Sequence, residues 1–398
     1  MGGVGGRHRR VAPVVLGVAA AVLVGCTGTH EAEPEPLSPS TAASPAPSGS
    51  PSVGGAATPG AGRAPRLTTT ARIPLPGQTF ARQLVVWDGF AAWLGCSGCE
   101  GTTAPLTLYV ADLRRRLVRA VVTAPPGGTL VPLGGRGPLL AYGTGVRVGR
   151  GSTRWTLEVR DLSGGARRTL AATTLTADDY PPTAVVGAGR VAWQVPRRGA
   201  SAGASGPVSV ADLRAGLPRP LAPDLPGRIA ALTTGGLVYA GPTSAARLDA
   251  QTLDVLLLPP GPPRPRVLSD THDVAQLAGG DDGVVWQTAQ GEDSGVWARS
   301  FDPRDVARRY YRGSTWDRAV GRGFVAVATA GPDPVVLVYP LGGGPAAAAP
   351  DVPVAAESLA AAGSRLAYLA LPGEGQRPAD ARYPVQLVLV TVAQPQVP

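Results

Sequence analysis

One pattern recurs along most of this 398-residue chain and constrains its fold more than any other feature. In each copy a glycine is followed within a few residues by an apolar triplet that ends on an aromatic side chain, as Gly189 is followed by Trp193. Successive end points are 41 to 51 residues apart, and a valine replaces the aromatic side chain in one copy. The seven end points are Trp93, Tyr142, Trp193, Tyr239, Trp286, Val327 and Tyr368.

A second landmark follows in each unit, a short alternating segment that closes on Asp-Leu and is best preserved in residues 208–213. Between the landmarks, short apolar runs are bounded by Gly, Pro and Asp, which is typical of strands and too short for helices. A period of about 40 to 50 residues with several strands per unit is typical of a β-propeller. We therefore predict an all-β chain with seven four-stranded antiparallel blades. Rings of six or eight blades are the alternatives, because the later copies of the repeat are degraded.

The two ends of the repeat region predict how the ring closes. Residues 67–75 form a strand-like segment before the first unit, and residues 385–392 form one after the last unit with no partner following it. We expect the two segments to pair in one blade, because pairing removes two exposed sheet edges. Residues 351–362 are the one weak helical candidate in this region.

The N-terminus predicts export. Arginines flank His8, an apolar stretch follows over residues 11–24, and Cys26 comes directly after Gly25. This order resembles a bacterial lipobox, in which the cysteine is lipidated and becomes the new N-terminus. The resemblance implies a lipoprotein signal peptide over residues 1–25 and a chain anchored on the extracytoplasmic face of the cell membrane. An ordinary signal peptide with an incidental Cys26 is the alternative.

Composition separates two further regions. Residues 26–66 are rich in Ser, Pro, Ala and Gly and have no apolar periodicity, so we expect a disordered tether after the lipidated cysteine. Residues 67–398 form the expected propeller domain. The formal net charge is +9, and because the chain has no lysine its 37 basic residues are all arginine. This bias fits a GC-rich coding sequence, and it also fits contact with anionic lipid or wall polymer.

The repeat G-x-x-V-A-W … V-x-V-x-D-L-x-x-G … R-x-L resembles the WD40-like propeller repeat of TolB-type exported proteins, over residues 67–393. The chain departs from that family in having no room for its N-terminal α/β domain and in lacking its Ser-x-Arg-x-Gly loop in most units. The resemblance implies a propeller in an exported protein and carries over no catalytic residue.

Cys96 and Cys99 form a C-x-x-C motif just past the first landmark aromatic. No second C-x-x-C or His pair is present to complete a tetrahedral metal site, and the expected compartment is oxidising. We therefore predict a local disulfide between Cys96 and Cys99, and no metal site.

Other motifs give no catalytic assignment. Residues 199–203 match G-x-S-x-G, but that motif needs a strand before the serine and a helix after it. His272 lies beside carboxylates, yet one histidine cannot form a metal site alone. The acid pairs at 178–179 and 281–282 adjoin turns, where aspartate is common for local hydrogen bonding. The sequence thus predicts no catalytic residue and no cofactor.

Candidate contact residues lie in loops. The cluster Arg114–Arg116 with Arg119 falls on a hairpin at a rim, where it is either solvated or in contact with anionic lipid headgroups. Nucleic acid is not an expected partner, because no recognition motif is present. The loop from Cys96 to Thr103, Arg197 with Arg198, and His272 are the first candidates for a ligand-facing surface.

These features predict a non-catalytic binding or scaffold module in the bacterial cell envelope, with an envelope protein or wall polymer as partner and the membrane reached through the lipid anchor. The alternative is an envelope hydrolase of glycans or esters that uses carboxylates at the channel mouth. An assembly factor for envelope proteins is a third possibility. Apposed carboxylates at one channel mouth would favour the enzyme, and an apolar or arginine-lined mouth would favour binding.

Overall fold

Seven four-stranded antiparallel sheets surround a central channel in the computed structural model, which confirms the predicted β-propeller and its blade number. The structure describes residues 63–76, 79–97, 105–176, 179–197, 205–214, 216–243, 253–260, 264–269, 274–288, 295–313, 315–330, 334–349, 358–370 and 386–394.

The first four blades follow the chain in order. Blade 1 consists of β2 (Thr79–Trp87), β3 (Phe90–Ser97), β4 (Thr107–Asp112) and β5 (Leu117–Thr123). Blade 2 consists of β6 (Thr129–Arg136), β7 (Leu139–Gly149), β8 (Ser152–Asp161) and β9 (Arg167–Thr176). Blade 3 consists of β10 (Thr183–Gly187), β11 (Arg190–Gln194), β12 (Gly206–Asp212) and β13 (Arg219–Leu225). Blade 4 consists of β14 (Arg228–Thr233), β15 (Gly236–Gly241), β16 (Asp254–Leu258) and β17 (Arg266–Ser269).

The remaining blades complete the ring. Blade 5 consists of β18 (Val274–Gly279), β19 (Gly283–Thr288), β20 (Gly295–Ser300) and β21 (Arg308–Tyr311). Blade 6 consists of β22 (Thr315–Gly321), β23 (Phe324–Thr329), β24 (Val336–Pro340) and β25 (Ala347–Ala348). Blade 7 consists of β26 (Leu359–Ala362), β27 (Arg365–Ala370), β28 (Gln386–Ala393) and β1 (Arg66–Pro74). The helical expectation for residues 351–362 is wrong at its end, since 359–362 form the innermost strand of a blade.

Blade 7 joins the two ends of the folded chain, as the sequence predicted. β1 pairs antiparallel with β28, from Arg66 opposite Ala393 to Pro74 opposite Gln386. The side chain of Ile73 is 1% exposed and packs with apolar residues of blades 1 and 7. The ring therefore closes through a strand from the start of the domain.

The core lies between neighbouring blades. The landmark residues of the repeat are buried there, and Trp93, Tyr142, Trp286 and Tyr368 are fully enclosed. Because every blade packs against two neighbours, both faces of its middle strands are covered, and the strands read as continuous apolar runs rather than alternating ones. The first strands approach one another closely at the channel. A Cβ atom at Gly187 would overlap the carbonyl oxygen of Leu232 in the next blade.

The two ends of the ring differ in their connections. We call one end the turn face; there the first strand of each blade turns into the second, as at Asp88–Gly89, and the third strand turns into the fourth. We call the other end the loop face; there the second strand connects to the third, and each blade connects to the next. As the third strand of blade 7, β28 ends at the turn face. Arg66 pairs with Ala393 at that end, so β1 also begins at the turn face.

Candidate functional site

Arginine side chains tie neighbouring blades together on the turn face. Arg168 on the outer strand of blade 2 donates from Nη2 to the carbonyl oxygen of Leu213 at 2.9 Å and from Nη1 to that of Arg214 at 3.0 Å. Arg119 of blade 1 donates in the same way to the carbonyl oxygen of Leu162 in blade 2. The arginine of the R-x-L segment in blade 2 thus contacts the Asp-Leu turn of the next blade, and Arg119 makes the same contact from an Arg-Ala-Val segment. We call this inter-blade contact the arginine strap.

The strap persists where the repeat is degraded. Arg266 of blade 4 donates from Nη2 to the carbonyl oxygen of Phe301 in blade 5 at 3.2 Å. Between blades 5 and 6 a tyrosine replaces the arginine, and the buried hydroxyl of Tyr310 donates to the carbonyl oxygen of Leu341. Burial raises the pKa of Tyr310 well above its usual value, so this donor stays protonated through the neutral range. The straps therefore have an architectural role.

The aspartates of the Asp-Leu turns are also structural. Asp112 Oδ1 accepts hydrogen bonds from the backbone N–H groups of Arg114 at 3.0 Å and Arg115 at 3.1 Å. Asp161 Oδ1 accepts from the hydroxyl of Ser163 at 2.6 Å and from its N–H at 2.8 Å. These hydrogen bonds to Ser163 lower the pKa of Asp161. Asp161 is therefore unsuited to proton transfer near neutral pH.

The central channel has a volume of about 1310 Å³ and a wall of mostly small and aliphatic residues from the first strand of every blade. Charged side chains of both signs line it. They are Asp88, Arg136, Asp281, Asp282, Asp317, Arg318, Arg322 and Arg365. The lining is therefore largely apolar with charges of both signs, and it is neither a ring of carboxylates alone nor a ring of arginines alone.

Two mouth carboxylates hold neighbouring turns in place. Asp88 Oδ2 accepts from the N–H of Gly137 in the next blade at 2.9 Å. Asp281 Oδ2 accepts from the N–H of Gly363 at 3.2 Å, so blade 5 contacts blade 7 past the turn of blade 6. Among the residues that the structure describes, no group of three or more His, Cys, Asp or Glu side chains could hold a metal ion.

Arg318 is the most buried charged side chain of the channel wall, with 8% of its surface exposed. Its Nη1 donates to Gln287 Oε1 of blade 5 at 3.1 Å, and the same oxygen accepts from the hydroxyl of Thr315 at 2.9 Å. Its Nε has no hydrogen-bond partner. Burial lowers the pKa of Arg318 to about 10, and the adjacent Asp317 opposes the shift. Arg318 thus joins blades 5 and 6 at the channel.

A second cavity, of about 700 Å³, opens on the turn face at blade 5, and we call it the rim pocket. It lies where residues 300–305 replace the Asp-Leu turn, and it is lined by Asp281, Asp282, Asp302 and Asp305. Asp302 Oδ1 accepts from the N–H of Arg304 at 2.9 Å, and Asp305 Oδ2 accepts from the N–H of Ser300 at 3.1 Å. Two of the four carboxylates therefore stabilise the turn that forms the pocket.

The turn face carries a large excess of exposed basic side chains. Four exposed aspartates lie in its turns or within three residues of the adjoining strand ends: Asp88, Asp212, Asp281 and Asp302. Fourteen exposed arginines meet the same criterion: Arg66, Arg114, Arg115, Arg116, Arg119, Arg136, Arg167, Arg214, Arg219, Arg264, Arg304, Arg308, Arg322 and Arg365. On this count the face has more than three arginines for each aspartate.

Several residues singled out in the sequence lie outside the described residues, namely Cys26, Cys99, Arg198, His272 and the G-x-S-x-G segment at 199–203. Their roles stay predictions, and so does the disulfide, although its other half, Cys96, lies near the end of β3 and is 1% exposed. No helix in the described part of the chain is long and apolar enough to cross a membrane.

Arg197 lies on the loop face, and so does the end of β3 at Ser97, whereas the rest of the candidate loop up to Thr103 lies outside the described residues. The Nη1 atom of Arg197 is 3.4 Å from Asp224 Oδ2, and both side chains are well exposed, at 60% and 47%. A pair so open to solvent contributes little stability, so Arg197 stays accessible to a ligand. The pairing with Asp224, 27 residues away, had no signal in the sequence. Arg114–Arg116 lie exposed on a turn-face hairpin, the rim position that the sequence predicted.

No protein-family model and no curated protein matches this chain. Solved structures do match its fold. An acylaminoacyl peptidase from Pyrococcus horikoshii is 11% identical with a TM-score of 0.50, over 79% of this chain and 52% of that one. A puromycin hydrolase is 15% identical with a TM-score of 0.49, over 73% and 50%. The WD40 domain of SCAP from fission yeast is 9% identical with a TM-score of 0.42, over 83% and 98%.

The chain thus spans about half the length of the peptidase and the hydrolase that it matches. At such low identity the likeness concerns the fold alone.

Proposed function

We propose that this chain is a non-catalytic binding module of the bacterial cell envelope, held by a lipid on Cys26, and that its partner meets the loop face. The partner classes that fit are an envelope protein and a wall polymer. One observation carries the proposal. The connections of the turn face run through two to seven residues and vary little from blade to blade, whereas those between the second and third strands on the loop face run through two to fifteen residues and differ between blades.

Connection lengths on the loop face make this difference concrete. Between the second and third strands the chain runs through nine residues in blade 1, eleven in blade 3, twelve in blade 4 and fifteen in blade 7. Blade 2 closes the same connection with two residues. Loops on a rigid scaffold carry binding function more often than the elements they join. Loops of unequal length around one channel end favour a specific partner over a repeated architectural contact.

The predicted lipid anchor is the argument for a location in the cell envelope. The segment before Cys26 has the order of a lipoprotein signal, and a diacylated cysteine with a further acyl chain gives stable membrane attachment. Metabolic labelling with palmitate tests this part alone. We expect label on the wild-type chain and none on the Cys26→Ala variant, and an unlabelled wild type contradicts the anchor.

The alternative function is an envelope hydrolase of glycans or esters. The rim pocket favours it, because Asp282 there lies beside other carboxylates at the channel mouth. The acylaminoacyl peptidase also shares the propeller fold. General acid and base catalysis needs two carboxyl groups that can exchange protons with a substrate. Asp302 and Asp305 are already engaged by turn N–H groups, so Asp282 is the residue on which this alternative depends.

Crosslinking from membranes separates the two functions. We expect wild type to capture a specific partner, and a variant with residues 372–384 replaced by Gly-Ser to lose it. Asp282→Asn is the matched control, and it should capture the same partner. Hydrolysis of an ester or glycan panel by the wild type, abolished by Asp282→Asn, would instead establish the enzyme. Capture that does not depend on the loop would contradict binding at the loop face.

A further inference from the structure

We propose that the turn face docks on anionic phospholipid headgroups of the membrane that carries the anchor, so that the loop face points away from the bilayer. The inference rests on the anchoring part of the proposed function. To the lipid anchor it adds a second, electrostatic contact with the membrane, and it gives the propeller a defined orientation relative to the bilayer.

The charge of the turn face is the first argument. Arg114, Arg115 and Arg116 are exposed in one turn, and Arg115 has 81% of its side chain accessible. The nearby Asp112 is occupied by the N–H groups of the same turn and pairs only loosely with Arg115, at 3.8 Å. Further exposed arginines follow around the ring, including Arg219 and Arg365. A surface with basic groups all around its rim suits a planar anionic surface better than a compact ligand.

Arginine is well suited to this contact. Its planar guanidinium group donates two parallel hydrogen bonds to a phosphate and loses less hydration than an ammonium group. The arginines that act as straps, such as Arg168, already donate to backbone carbonyl oxygens. Arg114–Arg116 are instead exposed in the β4–β5 turn, and none of the straps described above depends on them, so they can reach headgroups without breaking a strap.

The position of the tether is the second argument. The strand β1 begins at Arg66, and Arg66 lies at the turn face opposite Ala393. The anchor at Cys26 is therefore connected to the basic face. If the tether is disordered, as its composition predicts, a chain of about 40 residues has a root-mean-square length of roughly 35 Å, which keeps the face close to the bilayer and its effective concentration there high.

Each basic side chain near an anionic membrane contributes about 1 kcal/mol, and salt screens the attraction beyond about 8 Å at physiological ionic strength. Reversing three arginine charges should therefore weaken binding by at least about tenfold at low salt. The loop face offers a matched control. Arg147, Arg150 and Arg154 are exposed in and beside the β7–β8 hairpin there.

The test is flotation of the full chain with vesicles of phosphatidylcholine, with and without phosphatidylglycerol. The variants are Arg114→Glu with Arg115→Glu and Arg116→Glu, and Arg147→Glu with Arg150→Glu and Arg154→Glu. We expect the first triple variant to lose at least about tenfold of the preference for anionic vesicles, and the second to stay within about twofold of wild type. High salt should remove the preference of the wild type. Because all six side chains are exposed, both variants should melt like wild type.

Two results would overturn the proposal. Equal losses in the two triple variants would show that overall charge, rather than the turn face, determines binding. Binding to soluble poly(glycerol phosphate) that needs Arg114–Arg116, without a preference for anionic vesicles, would assign the face to wall polymer. Cys26→Ala separates this inference from the anchor, because the vesicle preference should persist in that variant even if palmitate labelling fails in the wild type.

Discussion

The turn face and the loop face of this propeller are built by the same strands but on different principles. On the turn face, short turns fix their own N–H groups with aspartate side chains, and arginine straps tie blade 1 to blade 2, blade 2 to blade 3 and blade 4 to blade 5. On the loop face, connections range from two to fifteen residues and share no pattern. The repeat in the sequence therefore reflects the turn face and the core, and not the loop face. It encodes how the ring is built and leaves the other face free to differ from blade to blade.

Removing β1 should have the largest effect, because it damages both faces together. Deletion of residues 67–76 leaves β28 with a bare edge and removes Ile73 and Leu75, which are 1% and 6% exposed. Loss of two buried aliphatic side chains alone costs at least about 4 kcal/mol. Guanidinium unfolding should show a much lower midpoint. Deletion of residues 45–54 in the tether is the control, and an equal midpoint for the two deletions would contradict closure through β1.

A pair of glycines tests the faces separately. Gly187→Ala should destabilise the protein by about 1–3 kcal/mol, because the new methyl group overlaps the carbonyl oxygen of Leu232 between two first strands. Gly149→Ala is its counterpart on the loop face, where nothing lies within 4 Å of the added atom. That change should stay within about 0.5 kcal/mol of wild type. Similar losses in the two variants would show that the close packing at the channel is not specific to the turn face.

The arginine strap should give the smallest effect of the three. Arg168→Ala removes two hydrogen bonds to carbonyl oxygens of blade 3 and should cost about 1–2 kcal/mol. Arg154→Ala changes the same residue type in the same sheet, at an exposed position near the loop face. Thermal unfolding of both variants measures the difference. If Arg154→Ala lowers the free energy of unfolding as much as Arg168→Ala does, the strap contributes no more to stability than an exposed surface arginine.

The sequence predicted the fold because the residues of the turn face and core repeat. Glycine turns and buried aromatic side chains such as Trp286 recur at intervals set by the size of one blade, so their number gives the number of blades. An R-x-L segment follows the Asp-Leu turn in blades 2 and 3, but only the structure shows that the arginine of one blade contacts the turn of the next.

The candidate sites were harder to predict, for physical reasons. Arg318 and Gln287 lie in different blades and meet only because their first and second strands are neighbours in the ring. The rim pocket forms where residues 300–305 depart from the Asp-Leu turn. Because this segment differs from the repeat, the repeat pattern does not predict the pocket. Loops of the loop face, including the one after Ser97, follow no period. The ligand they would select therefore leaves no repeated signal.

Closure through β1 also sets the order in which the molecule can form. Thr70 donates its hydroxyl hydrogen to the carbonyl oxygen of Leu389, 319 residues later, so the first strand of the domain to be synthesised pairs with the last. Contacts this distant in sequence form slowly, because a long loop must close before they stabilise anything. Blades 1 to 6 can each fold as a local meander while synthesis proceeds. Blade 7 cannot, and until its last strand emerges β1 remains an unpaired edge that a neighbouring chain could capture.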